Sequence, residues 1–319
     1  VTRKELFGLI RASFTTAAMF LAGAVIPVVG GVLMLFAPAP VMAYAVGNPR
    51  ALLRVGAVLS LAIVMIFAGA GAMAAVAYAL SFGLATAIMC HMIERRYPFE
   101  TIVLCATGAV VVAGTLLAFG IAGSPQALAL NMHNDLFAAI ERGEKFYKAL
   151  GIEAAIAPET RSAIVDSALR LSPALASISI AFMVLVNLGV FWRMSGRQQR
   201  VGYALFGDLV RWTTPEWLIW GLLVAGFGLF IPVPPLDTIA LDCFVCIAAV
   251  YFCQGLAVMA FYFKVLAMPA LARGLIYFVT VVQPVLAALV CAVGIFDLWI
   301  DFRRLKPPSE EARNLGDFL

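Results

Sequence analysis

Seven stretches of the 319-residue chain contain no Asp, Glu, Lys or Arg: residues 12–49, 55–93, 101–134, 171–192, 217–236, 243–263 and 274–296. A helix crosses the roughly 30 Å hydrocarbon core of a bilayer with about 20 apolar residues, so each stretch holds one span or close to it. The charges that remain do not suffice to coat a soluble globule. Only 13% of residues are charged and 63% are hydrophobic, against about 25% charged in an ordinary soluble domain. The pattern predicts an all-α, polytopic transmembrane bundle of about 8–9 apolar segments.

The division along the chain follows from the same charges. Residues 1–123 read as N-terminal transmembrane helices, 124–171 as a polar amphipathic helical insert, 172–303 as C-terminal transmembrane helices and 304–319 as a polar tail. Arg3, Lys4 and Arg11 precede the first apolar run, which is far longer than a signal h-region and is therefore read as retained membrane helix. Pro27, Gly30-Gly31 and Pro38-x-Pro40 break that run into two short spans, because proline interrupts the helical ladder. Gly69-Ala70-Gly71 is the expected turn within residues 55–90. The insert carries six acids and five bases and is too polar to span. It is expected at the interface or as a cap on the bundle.

Thr214-Pro215-Glu216 reads as an N-cap, a first-turn proline and an acid facing the helix dipole. Trp212, Trp217 and Trp220 fit an aromatic belt at that surface. Placing the N-terminus, 47–55, 91–100 and 193–216 in the cytoplasm puts eleven of the twenty-two bases there, Arg197 and Arg200 included, and sends the insert outside. Three spans after residue 216 would put Arg303, Arg304 and Lys306 outside, so the cytoplasmic C-terminus these bases favour requires 215–230 to be re-entrant or 237–263 to turn back near Gln254-Gly255.

Polar groups at membrane depth carry the functional information, since each costs a few kcal/mol unless paired. Asn187, Asp242, Gln254 and Gln283 are candidates for a cavity lining or an interhelical polar network. Asp297 and Asp301 stand four apart, hence on one helix face, and need a cation such as Arg303 or Arg304 beside them. A structural ion-pair cluster at the membrane surface is the expectation there, with a catalytic carboxylate pair or a metal site as its rival. Six cysteines (Cys90, Cys105, Cys243, Cys246, Cys253 and Cys291) are read as buried structural thiols. His91 and His133 do not form a metal motif, and no cofactor is expected. No phosphate loop occurs, and nothing points to nucleic acid. Ala18-x-x-x-Ala22 is a small-residue pair that would let another helix approach.

Three segments carry a family resemblance: Trp212-x-x-Pro215-Glu216-Trp217, Gln254-Gly255-Leu256-Ala257-Val258 and Gly294-x-x-Asp297-x-Trp299-x-Asp301-Phe302-Arg303. They resemble the YybS-like family of bacterial membrane proteins of unknown function, which implies a multi-pass protein of the bacterial cytoplasmic (inner) membrane. That family is distantly similar to the S components of energy-coupling-factor transporters, which bind a vitamin or metal and dock on a transmembrane coupling protein with two ATPases. The resemblance implies a small-molecule-binding or transport component whose Ala18 and Ala22 face the coupling protein. The alternatives are a non-transporting scaffold that binds other membrane proteins and, third, an intramembrane enzyme.

Overall fold

A computed structural model describes residues 3–26, 29–48, 50–149, 151, 157–195, 209–231, 233 and 236–305. Pro27, Arg197, Arg200, Pro232, Pro234, Pro235, Lys306 and most of the polar tail lie outside the described residues. Every regular element among the described residues is helical. The chain divides into two compact units, Val1–Phe206 and Gly207–Leu319.

Among the described residues the N-terminal unit holds eight α-helices: α1 (Arg3–Val25), α2 (Val29–Leu35), α3 (Pro38–Ala45), α4 (Ala51–Tyr78), α5 (Leu84–Glu94), α6 (Phe99–Ala122), α7 (Pro125–Ala149) and α8 (Pro158–Met194). The C-terminal unit holds α9 (Leu218–Gly228), α10 (Leu236–Val265), α11 (Ala270–Val282) and α12 (Pro284–Ile300). Five helical runs are long and apolar enough to cross a membrane, or six when α11 and α12, bent by 103°, count as one. Val29–Ala45 and Leu218–Gly228 are shorter apolar helices. The chain is an integral membrane protein.

One of the five runs, Ala51–Glu94, is 44 residues long. A straight helix of that length would extend about 66 Å. Gly71 interrupts it at φ 85°, a conformation open to glycine and costly for side-chain-bearing residues. The Gly47 N–H donates to Glu94 Oε1 at 2.8 Å, which brings the far end of the run back beside its start. The run therefore folds back on itself at the glycine-rich turn that its sequence marks.

Helix α1 packs through a face of small residues, with Ala12, Ser13, Thr16 and Ala17 all buried. Ser13 Oγ donates to the Val58 carbonyl at 3.1 Å, tying α1 to α4. Gly30 of α2 lies so near α1 that a Cβ there would fall 1.9 Å from the Ala22 carbonyl oxygen. The Ala18/Ala22 pair is thus divided: α2 approaches the Ala22 backbone, while Ala18 is exposed.

The polar insert becomes α7 and the first turns of α8. Its expected limit at residue 171 falls inside a continuous 37-residue helix. Pro173 lacks the N–H that would reach the Leu169 carbonyl, and Ser172 Oγ donates to that carbonyl at 2.8 Å instead. Gly123, at φ 73°, starts the arm, and the Ser124 hydroxyl accepts the Ala127 N–H at 3.1 Å. One Arg161 guanidinium nitrogen donates to both Glu144 oxygens at 2.8 and 2.9 Å, and the guanidinium sits 5.3 Å from the Phe137 ring centroid. These contacts clamp α7 to α8. Because both partners are partly solvated, Arg161→Met should loosen the arm by roughly 1 kcal/mol, about fivefold in its opening equilibrium. Limited trypsin cleavage after Arg142 and Lys145 should accelerate to that extent; an unchanged rate would show that the clamp contributes nothing.

The cysteines depart from expectation. Cys90 is buried, but Cys105, Cys243 and Cys253 lie on the outer faces of their helices. A free thiol behaves as a small hydrophobe, which suits the apolar outer faces of these helices as well as a core.

Candidate functional site

The C-terminal unit builds a polar cluster from the three sequence segments that carried the resemblance. Its basis is an approach of backbones. A Cβ on Gly255 of α10 would lie 2.0 Å from the Val290 carbonyl oxygen of α12, and one on Gly294 would lie 2.0 Å from the Tyr251 carbonyl oxygen. Two glycines facing each other let the helices touch along their main chains. Gln254 and Asp297, each beside or one turn from a glycine, are thereby brought together in the seam.

Gln254 is fully buried, and Asp297 is 4% exposed. Gln254 Nε2 donates to Asp297 Oδ2 at 3.1 Å. The carboxamide oxygen accepts the Thr214 N–H at 3.0 Å and also the Thr214 hydroxyl. Arg303, 3% exposed, forms an ion pair with the same Asp297 oxygen. Its other terminal nitrogen donates to the Val210 carbonyl at 2.7 Å and the Trp212 carbonyl at 3.0 Å. The cluster therefore pins the segment before α9 against the α10–α12 seam. Asp297 Oδ1 and Arg303 Nε are buried without a hydrogen-bond partner.

Two sequence expectations are corrected here. Thr214 does not cap a helix: α9 begins at Leu218, and the Thr214 hydroxyl is engaged by Gln254. Asp297 and Asp301 do not share a helix face, because α12 ends at Ile300 and Asp301 takes φ 47°. Asp301 Oδ1 accepts the Leu305 N–H at 2.8 Å, closing the turn that carries Arg303 back to Asp297. Trp299 points outward, 62% exposed.

Asp242 and Gln283 stand apart from the cluster. Asp242 precedes Gln254 on α10 by twelve residues, about 18 Å along the helix axis. Gln283 is exposed at the α11–α12 bend. Asn187 belongs to the N-terminal unit, where a second polar arrangement surrounds the break between α2 and α3.

That break has a specific chemistry. Pro38 and Pro40 cannot donate to the Met34 and Phe36 carbonyls, and the Ala37 and Ala39 N–H groups take them instead, at 3.0 Å each. The Leu35 carbonyl, which Ala39 would have served in a continuous helix, is left over. Asn187 Nδ2 of α8 donates to it at 2.8 Å and to the Met183 carbonyl at 2.8 Å. Thr16 Oγ1 of α1 donates to the Ala37 carbonyl at 2.6 Å and meets the Tyr78 hydroxyl at 3.1 Å. Tyr78 opens onto a π-helical turn, Ala79–Gly83, and packs with Phe20 and Phe82. Asn187 is fully buried, and its Oδ1 has no partner.

The sequence did not single out Thr16 or Tyr78, and it marked Thr214 only as a helix cap. A signal existed for Thr214, which lies within the Trp212–Trp217 segment. Thr16 and Tyr78 are ordinary residues of apolar runs, and only the break they face gives them a role. Among the described residues, no group of His, Cys, Asp or Glu could hold a metal ion.

The sequence profile of a family described as "Predicted membrane protein (DUF2232)" matches residues 14–298. No curated protein and no solved structure matches the chain.

Proposed function

The chain belongs to the DUF2232 family of predicted membrane proteins, and from that premise we propose that it is a small-molecule-binding or transport component of the bacterial cytoplasmic membrane. One observation carries the reading: the broken helix α2–α3, whose freed Leu35 carbonyl is held by an asparagine from a distant helix. Discontinuous helices at membrane depth recur where transporters bind their cargo, because the break frees polar backbone groups in an apolar medium. Asn187 Oδ1 and the Thr16–Tyr78 hydroxyl pair are the polar groups a ligand would meet there, with Phe20 and Phe82 supplying an aromatic wall.

We count the folded-back run Ala51–Glu94 as two spans and the short runs Val29–Ala45 and Leu218–Gly228 as membrane segments, giving the eight or nine apolar segments of the sequence reading. The arm of α7 and α8 lies outside the cell in this topology. Similarity to the S components of energy-coupling-factor transporters extends the proposal to docking on a coupling protein. Ala18 remains exposed for that contact, while Ala22 is engaged with α2. The same exposed Ala18 favours the second reading, a scaffold for other membrane proteins.

Native and denaturing mass spectrometry of the protein, purified gently from its own membrane, tests the proposal. The wild type should retain a defined small molecule, and Asn187→Leu or Thr16→Val should lose it about tenfold, as removal of one buried hydrogen bond implies. Coupling and ATPase subunits in the same preparation would support the S-component extension. Stoichiometric recovery of a different membrane protein, with no ligand, would replace the transport reading by the scaffold.

A further inference from the structure

The Gly47–Glu94 hydrogen bond gathers three parts of the N-terminal unit at one end: the start of α1, the α3–α4 turn and the segment after α5. The Glu5–Arg54 ion pair at 2.8 Å and the Tyr44 hydroxyl on the Glu5 carbonyl at 3.0 Å complete the rim. Six bases stand there (Arg3, Lys4, Arg50, Arg54, Arg95 and Arg96) against the acids Glu5, Glu94 and Glu100. Glu5 is engaged with Arg54, and Glu94 accepts from the Gly47 backbone. Arg50, Arg95 and Arg96 are exposed, and among the described residues they form no ion pair.

Two of these arginines occupy backbone that suits them badly. Arg50 has φ 60° and Arg96 φ 61°, the left-handed region that glycine or asparagine enters far more readily. Neither guanidinium offsets that strain with a hydrogen bond or ion pair among the described residues. Just inside the rim, Leu52 and Leu53 on α4 and Leu6 and Phe7 on α1 are more than half exposed, on helices that enter the membrane. Cations at the membrane surface with bare apolar side chains directly beneath match a molecule that has an anionic head and hydrocarbon tails.

We propose that this rim is a binding site for an anionic phospholipid, its headgroup held by Arg50, Arg95 and Arg96 and its acyl chains laid along Leu52 and Leu53. The inference is independent of what the protein transports. A free phosphate would satisfy the cations but would make no use of the apolar strip, so the lipid is the source chosen.

The test uses the full chain in mild detergent, with phosphatidylglycerol and phosphatidylcholine of identical acyl chains as probes, read by native mass spectrometry. Phosphatidylglycerol should be retained about tenfold over phosphatidylcholine or better. In the triple variant Arg50→Gly, Arg95→Gln, Arg96→Gly that preference should vanish, while the melting temperature stays level or rises because glycine relieves the two strained sites. Arg142→Gln with Lys148→Gln, which removes cations from the arm, should leave lipid retention unchanged. In detergent the readout does not depend on how the variant inserts into a membrane. Equal retention of the two lipids by the wild type, wild-type retention by the triple variant, or displacement of phosphatidylglycerol by excess inorganic phosphate would each overturn the proposal.

Discussion

Arg303→Met lowers the stability of the C-terminal unit by about 3–5 kcal/mol, because it strands the buried Asp297 carboxylate without its cation. The geometry makes this the most damaging single polar substitution in the cluster. Arg303 and Asp297 side chains are 0% and 2% exposed, so water cannot take over the lost interaction. The same change removes the Arg303 hydrogen bonds to the Val210 and Trp212 carbonyls and leaves Gln254 holding the segment before α9 at Thr214. The double variant Asp297→Leu, Arg303→Met should recover most of the loss, since removing both charges also removes their desolvation cost. Thermal unfolding in detergent, followed by tryptophan fluorescence, measures both. The two variants also separate roles. If the pair only holds the fold, the double variant regains ligand retention with its stability. If the pair opens and closes during function, the double variant is stable and inactive. A single variant as stable as the wild type would mean that Asp297 is neutralised by another route.

The second large effect is steric. Gly255→Ala or Gly294→Ala places a methyl carbon 2.0 Å from a backbone oxygen on the facing helix, and a backbone oxygen cannot swing aside as a side chain does. The helices α10 and α12 must separate, at a cost of about 3 kcal/mol or more, toward the upper end for overpacked sites. Separation would also lengthen the Gln254–Asp297 hydrogen bond. Gly255→Ala should therefore combine with Asp297→Asn less than additively, a coupling that well-separated sites do not show. Strict additivity, or a melting temperature unmoved by Gly255→Ala, would refute the close-contact account.

How much of this was legible beforehand depends on the range of the interaction. The membrane class followed from charge-free runs, a property of composition alone. The breaks at Pro38-x-Pro40 and Gly69-Ala70-Gly71 followed from residue chemistry, because missing donors and positive φ act locally. The insert limit at residue 171 marks a change of polarity, and it says nothing of where a helix ends: α8 runs on through Pro173, with the Ser172 hydroxyl donating to the Leu169 carbonyl that proline leaves without a donor. The supposed carboxylate face failed. The spacing of Asp297 and Asp301 implies a shared face only while the helix lasts, and α12 stops between them. Gln254, Asp297 and Arg303 were each singled out, yet their meeting was not foreseeable. It depends on Gly255 and Gly294, 39 positions apart in the sequence, facing one another, a pairing that neither local pattern encodes.

Helix α8 joins two features that have so far been described separately. Arg161 grips the arm near one end, Asn187 holds the broken helix near the other, and Pro173 lies between them, twelve residues from the first and fourteen from the second. These distances are about 18 and 21 Å. With the ladder patched at Leu169, the helix runs on through Pro173 and links the two points as a single rod. The polar arm and the grip on the break thus share one continuous helix, so the two sites are joined by the main chain itself.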